Sequence, residues 1–253
     1  MAAIGRIVDN LADFWRRSYT RAYLACLFLF ITFLGSFFKK KELVPESYFS
    51  NSRNVLNVYF VKISWGWTLG LLLPFILLSN TYKKPWTFVL KRLTSLPVAT
   101  LIWYFCTEAF CLIEEITGSC YESDTMQVIH GNITTKAACR KAGFIWDGFD
   151  ISGHSFILAY SALVIVEEMM AVSHIPSSDR NVFLNCLYIA LNVIVAIWLL
   201  MFTSTSIYFH DFWHKLLGTF FGIMGWCVTY VVCFPKFSLP GLPPKESEEK
   251  KDP

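Results

Sequence analysis

The chain alternates long apolar runs with short polar breaks, and the runs have the length of membrane helices. Crossing a hydrocarbon core of about 30 Å takes roughly 20 helical residues, and in that solvent the backbone must be satisfied within the element. Six runs qualify: 22–38, 55–79, 93–113, 155–173, 182–209 and 212–234. Their borders are charged or turn-forming clusters, such as Lys39, Lys40 and Lys41 after the first and Asn80 to Pro85 after the second. The pattern predicts an all-α, polytopic membrane helix bundle with six transmembrane spans at 22–234. An arm at 1–21 precedes it, and a proline-rich, charged tail at 235–253, expected to be disordered, follows.

Composition strengthens that picture. Hydrophobic residues are 55% of the chain and charged residues 16%, with a mean hydropathy of +0.46, far from an ordinary soluble domain. The 23 Phe, 11 Tyr and 9 Trp suit lipid-facing and interfacial positions. A formal net charge of +3, with no basic stripe interleaved with stacking aromatics, argues against nucleic acid as a partner.

Charge placement and the longest loop give the orientation. The first residues lack the apolar core of a signal peptide and carry Arg6, Arg16, Arg17 and Arg21, so they read as a cytosolic arm. An even number of spans then puts both ends in the cytosol, and Lys83, Lys84, Lys91 and Arg92 agree, while Lys39 to Lys41 fall on the other side and dissent. The loop at 114–150 holds Cys120 and Cys139, a candidate disulfide, and the sequon at Asn132, a candidate glycosylation site. Both suit an oxidising lumen. The other six cysteines lie in or beside apolar runs, where a small buried side chain is the ordinary reading.

In this topology His154, at the threshold of the fourth span, and His210, between the fifth and sixth, share the lumenal face. Two histidines at helix ends can divide phosphoryl chemistry, one attacking phosphorus and the other protonating the leaving oxygen, because histidine titrates near neutral pH without a large shift. Ser152 and Gly153 would cap the fourth helix and leave backbone N–H groups for phosphate oxygens. The plainer alternative is a capping loop with an interfacial histidine. Asp150 is expected either to orient His154 or to help the cap, and Glu108, inside the third span, to orient a histidine. Glu167 and Glu168 are expected to reach water at the cytosolic end. Asn57, Asn185 and Asn192 are expected to hydrogen-bond between helices. His210 and His214 have the i, i+4 spacing of a metal pair, but no third ligand is evident, so no metal site and no cofactor are expected. Asn57, Lys62 and Glu108 are too few aligned polar groups to suggest a transporter.

Ile151-Ser152-Gly153-His154 resembles the first histidine motif of the type 2 phosphatidic acid phosphatase superfamily of lipid phosphatases. In that superfamily's later motif, Ser-Arg precedes a nucleophilic histidine and an aspartate follows it by four residues. His210 matches the histidine, while Ser204 stands in place of the arginine and His214 in place of the aspartate. The earlier Lys/Arg-Pro motif has no counterpart. Lys215, Lys62 or a metal is left to supply the positive charge, and nothing in the sequence chooses among them.

A second resemblance covers nearly the whole chain. The stretches "LVPESYFSNSRNVLNVYFVK" (43–62), "ITGSCYES" (116–123), "GFDISGHSF" (148–156), "VIVEEM" (164–169), "IYFH" (207–210) and "SLPGLPP" (238–244) resemble the fat storage-inducing transmembrane family. The Ser-Gly-His form of the motif favours the second of its paralogue groups. The resemblance implies a lipid-phosphatase-like core in the endoplasmic reticulum membrane, with both termini cytosolic and a lumenal site. It also implies hydrolysis of fatty acyl-CoA to acyl 4′-phosphopantetheine and adenosine 3′,5′-bisphosphate in support of lipid droplet formation. His210 would then be the nucleophile, His154 the acid and later the base, and the Ser152-Gly153 backbone the phosphate cradle. Fatty acyl-CoA and membrane lipids are the implied partners. The alternative is a protein without catalytic activity that binds and partitions triacylglycerol and diacylglycerol.

Overall fold

The computed structural model describes residues 2–81, 85–122 and 135–236. Helix α1 (Ala2–Arg16) is amphipathic: Val8, Ala12 and Trp15, spaced i, i+4, i+7, are buried, and the Trp15 indole donates to Asn192 Oδ1 at 2.8 Å. The N-terminal arm is therefore a helix laid against the bundle. Helix α2 (Ser18–Lys40) begins before the first apolar run because Arg21, counted as part of the arm, is held inside by Glu167 at 3.0 Å.

A wide helical turn at Asn57–Val61 precedes α3 (Ser64–Asn80), and α4 (Trp86–Leu93) precedes α5 (Ser95–Thr117). Next come β1 (Ser119–Tyr121), α6 (Lys136–Lys141) and β2 (Ile145–Asp147), the two strands pairing antiparallel with Cys120 opposite Trp146. Then follow α7 (Gly153–Glu168), α8 (Val182–Tyr208), α9 (Phe212–Trp226) and, after a wide-pitch stretch, the short α10 (Phe234–Lys236). Among the described residues five helical segments are long and apolar enough to cross a membrane. The expected run at 55–79 differs, because Ile63 leaves helical geometry and limits α3 to 17 residues. That is about 26 Å at 1.5 Å per residue, just under a hydrocarbon core of about 30 Å.

Helix α7 is the axis of the bundle: its membrane-spanning stretch is entirely buried, and α2, α3, α5, α8 and α9 pack around it. A sequence apolar on every face, Phe156 through Val166, permits this. The approach of α9 rests on small residues. A Cβ on Gly218 would collide with the Ser152 carbonyl, and one on Gly222 would stand 2.8 Å from the Phe156 carbonyl. Only glycine allows backbone contact here.

Glu167 and Glu168, expected to reach water, are buried instead. Glu167 accepts from Arg21 and from the Trp226 indole (3.2 Å), while Glu168 pairs with the buried Arg92 and accepts from the Tyr230 hydroxyl at 2.7 Å. A carboxylate at this depth is tolerated when paired and hydrogen-bonded, and the arginines of α2 and α4 provide that. Of the three asparagines, Asn192 does bridge helices, Asn57 donates locally to the Ser52 carbonyl (2.6 Å), and the Asn185 carbonyl oxygen has no partner among the described residues.

Candidate active site

The first part of the site is delivered by the β1–β2 hairpin, which docks on the end of α5. Trp146 donates from its indole to the Glu114 carbonyl (3.2 Å), and the Phe149 amide donates to Thr117 Oγ1 (2.8 Å). Lys136 pairs with Glu114, and a Cys120–Cys139 disulfide ties α6 to β1. These contacts fix the path of the chain into Asp150. The sequon at Asn132 lies outside the described residues.

Two residues later Ser152 caps α7, its Oγ accepting from the Ser155 amide at 3.3 Å. The helix starts at Gly153, earlier than the apolar run suggests, so His154 sits in its first turn. The Phe156 amide bonds to the Ser152 carbonyl (3.1 Å), which leaves the amides of Gly153 and His154 without an acceptor in the helix. A Cβ built on Gly153 would meet nothing within 4 Å, so the cradle is open above it. Exposed amides at the positive end of a helix receive anions.

The second part is the corner between α8 and α9. His210 turns the chain there with φ +47°, a left-handed backbone for a residue with a Cβ, at a cost of roughly 1–2 kcal/mol. Two contacts hold it. Lys39, from the end of α2, donates to the His210 carbonyl at 2.6 Å and stands 3.4 Å from Asp211, and Asp150 Oδ2 lies 3.5 Å from His210 Nδ1. The two parts are joined where the Ser152 amide donates to the His214 carbonyl (3.0 Å). The His214 ring meets Phe149 edge-on at 4.6 Å and is 6.3 Å from His210, centre to centre.

His154, His210, Ser152, Gly153 and Asp150 are thus gathered at one end of α7, with His154 within reach of the charge of His210 and Lys62. Asp150, expected to orient His154 or help cap α7, faces His210 instead, because the hairpin delivers it to the α8–α9 corner. Its 3.5 Å separation is an electrostatic contact rather than a tight hydrogen bond. Burial lowers the His210 pKa below its ordinary 6.5; Asp150 opposes that shift, and His214, Lys39 and Lys215 add to it. A neutral imidazole whose Nδ1 faces a carboxylate presents Nε2 as its free base.

Other candidates fall outside. Glu108 is exposed on the outer face of α5, beside the exposed Tyr104, Phe105 and Leu112. Lys215 is fully buried and donates to the Ser206 carbonyl at the end of α8 (2.7 Å), so its charge acts on the site as a fixed field. Ser204, in place of the superfamily arginine, bonds back to the Leu200 carbonyl at 2.9 Å. Among the described residues no three His, Cys, Asp or Glu side chains are grouped to hold a metal. A cavity of about 580 Å³ lies at the other end of α8, where Arg180 is paired with Asp9 at 2.8 Å. Sequence reasoning missed Lys39, although the signal was present: it was one of the lysines dissenting from the positive-inside count.

A family model described as fat storage-inducing transmembrane protein matches residues 45–187. The acyl-coenzyme A diphosphatase FITM2 of Danio rerio is 64% identical over 247 residues, covering 98% of each chain. That of Homo sapiens is 46% identical over 234 residues, covering 90% of this chain and 89% of its own. The Drosophila melanogaster relative of the same name is 30% identical over 267 residues, covering 88% of this chain and 59% of its own. No solved structure matches. The family model takes in His154 and its cap, and the alignment to the Danio rerio protein runs past His210. Matched by the family model along more than half its length and by these relatives along most of the rest, this multi-pass membrane protein belongs to the fat storage-inducing transmembrane family.

Proposed function

We propose that the chain is a fatty acyl-CoA diphosphatase of the endoplasmic reticulum membrane. Both termini face the cytosol and the histidine end faces the lumen, where its product release supports lipid droplet formation. The observation that carries this reading is the convergence of His154 and His210, with a helix N-terminus and Asp150, in a chain 64% identical to a relative named for that activity.

The chemistry follows from the placement. His210 Nε2 attacks one phosphorus of the pyrophosphate, forming a P–N bond as the bond from that phosphorus to the bridging oxygen breaks. The bridging oxygen leaves with the other phosphate and takes its proton from His154. Water then attacks the phosphorus of the phosphohistidine, gives a proton to His154, and releases His210 by cleaving the P–N bond. One water is consumed, and the products are acyl 4′-phosphopantetheine and adenosine 3′,5′-bisphosphate. The open amides of Gly153 and His154 hold the non-bridging oxygens throughout, a fixed electrostatic contribution that needs no reorganisation. Asp150 keeps the His210 ring oriented and favours its positive charge as the P–N bond forms.

Mass analysis of products from purified protein tests this. Wild type should yield the two named products, and His154→Ala and His210→Ala should each lose at least about 1,000-fold in rate with thermal midpoints near wild type. Undiminished cleavage by both variants contradicts the reading, as does wild-type protein that only binds neutral lipid.

A further inference from the structure

Phosphoryl chemistry needs fixed positive charge at the phosphate, and the motif that supplies it in related lipid phosphatases has no counterpart here. Three lysines, from three separate parts of the chain, bear electrostatically on the two histidines: Lys39 and Lys215 on His210, and Lys62 on His154. Their surroundings divide them. The Lys215 ammonium is sealed inside the bundle on the Ser206 carbonyl (2.7 Å), and that of Lys39 is spent on the His210 carbonyl (2.6 Å) and Asp211. Lys62 is exposed and makes no hydrogen bond or ion pair among the described residues.

Backbone irregularity explains how Lys62 comes to stand there. The wide turn at Asn57–Val61 closes with the Lys62 amide on the Asn57 carbonyl (3.0 Å), and Ile63 then leaves helical geometry before α3 begins. This turn packs on α8, and the segment before it is fixed to the His210 end of α8 by Ser47 donating to the Tyr208 hydroxyl (2.9 Å). Insertions of this kind inside helices re-aim side chains and occur often at functional sites. Here Val61 turns inward and Lys62 outward.

We infer that Lys62 is the anion clamp of the site, its ammonium binding the non-bridging oxygens of the substrate's pyrophosphate opposite the Gly153 and His154 amides. The inference rests on the diphosphatase reading and names the cation which that reading requires. A single exposed ammonium on a flexible stem suits a substrate that must enter and leave, whereas the two tethered lysines shape the field and hold His210 in place.

The test uses purified full-length protein, Lys62→Met and Lys62→Arg beside wild type, with long-chain acyl-CoA and its 3′-dephospho analogue as substrates. Lys62→Met should lose about 10- to 100-fold in kcat/KM, and Lys62→Arg should recover most of it. The loss should be equal on both substrates, and the rise of wild-type KM with salt should flatten in Lys62→Met. Unchanged kinetics in Lys62→Met, while His154→Ala and His210→Ala are inactive, overturns the clamp and leaves the diphosphatase reading standing. A defect confined to the 3′-phosphorylated substrate also overturns it, since Lys62 would then read the ribose phosphate. Normal cleavage by both histidine variants defeats the underlying reading and the clamp with it.

Discussion

His210 carries the backbone strain of the site. A left-handed backbone at a residue with a side chain persists only where its surroundings over-determine it, and here Lys39 grips its carbonyl while Asp150 faces its ring. Burial lowers its pKa, so the imidazole takes up its proton at a lower pH than an ordinary histidine, whose pKa is 6.5. The acid limb of kcat/KM should therefore lie below pH 6.5. Asp150 favours the protonated ring, so its removal should lower the His210 pKa further. Asp150→Asn is expected to move the acid limb to lower pH and to cut kcat about tenfold; a pH–rate profile of the two proteins checks both. A limb that moves upward would show that Asp150 acts elsewhere.

Helix α9 sets how close the two histidines come, because the His210 corner leads directly into it and Gly218 and Gly222 lie against the backbone at the start of α7. Gly218→Ala puts a methyl group into the Ser152 carbonyl and must push the two helices apart. The expected cost is about 1–3 kcal/mol of stability, and a displacement near 1 Å costs on the order of 100-fold in rate. Gly66→Ala in α3, where a Cβ meets nothing within 4 Å, should instead raise stability slightly, by about 0.4–1 kcal/mol. Thermal midpoints in one detergent, with activity alongside, compare the pair. The spans at this scale were legible because continuous apolar runs are a strong signal. Helix α1 was not, since a helix laid against the bundle needs only one apolar face and Val8, Ala12 and Trp15 are sparse. The helical register of α3 was also hidden: the break at Ile63 falls inside an apolar run, and composition does not record a change of pitch.

Across the whole molecule, α7 joins two polar ends that differ in kind. At Glu167 and Glu168 the carboxylates are matched with Arg21 and Arg92, so charge is consumed by structure. At His154 the space above the Gly153 backbone is open, and Lys62 is exposed with no partner among the described residues. The sequence led to both histidines through spacing and topology. It could not reveal which arginines and lysines were already paired, because those partners lie up to 172 residues apart in the chain. That is why Arg21 and Arg92 read as topology markers and Lys39 as a dissenting one. The contrast between a satisfied end and an open one is the molecular basis for placing the chemistry at the histidines. The most direct test of that placement is capture of the intermediate: rapid quench of purified protein with acyl-CoA into alkaline denaturant, in which a P–N bond survives, followed by peptide mass spectrometry without an acid step. The account predicts a phosphoramidate adduct on His210 in wild type, and none in His210→Ala. An adduct on His154, or cleavage with no adduct on either histidine at any quench time, would contradict it.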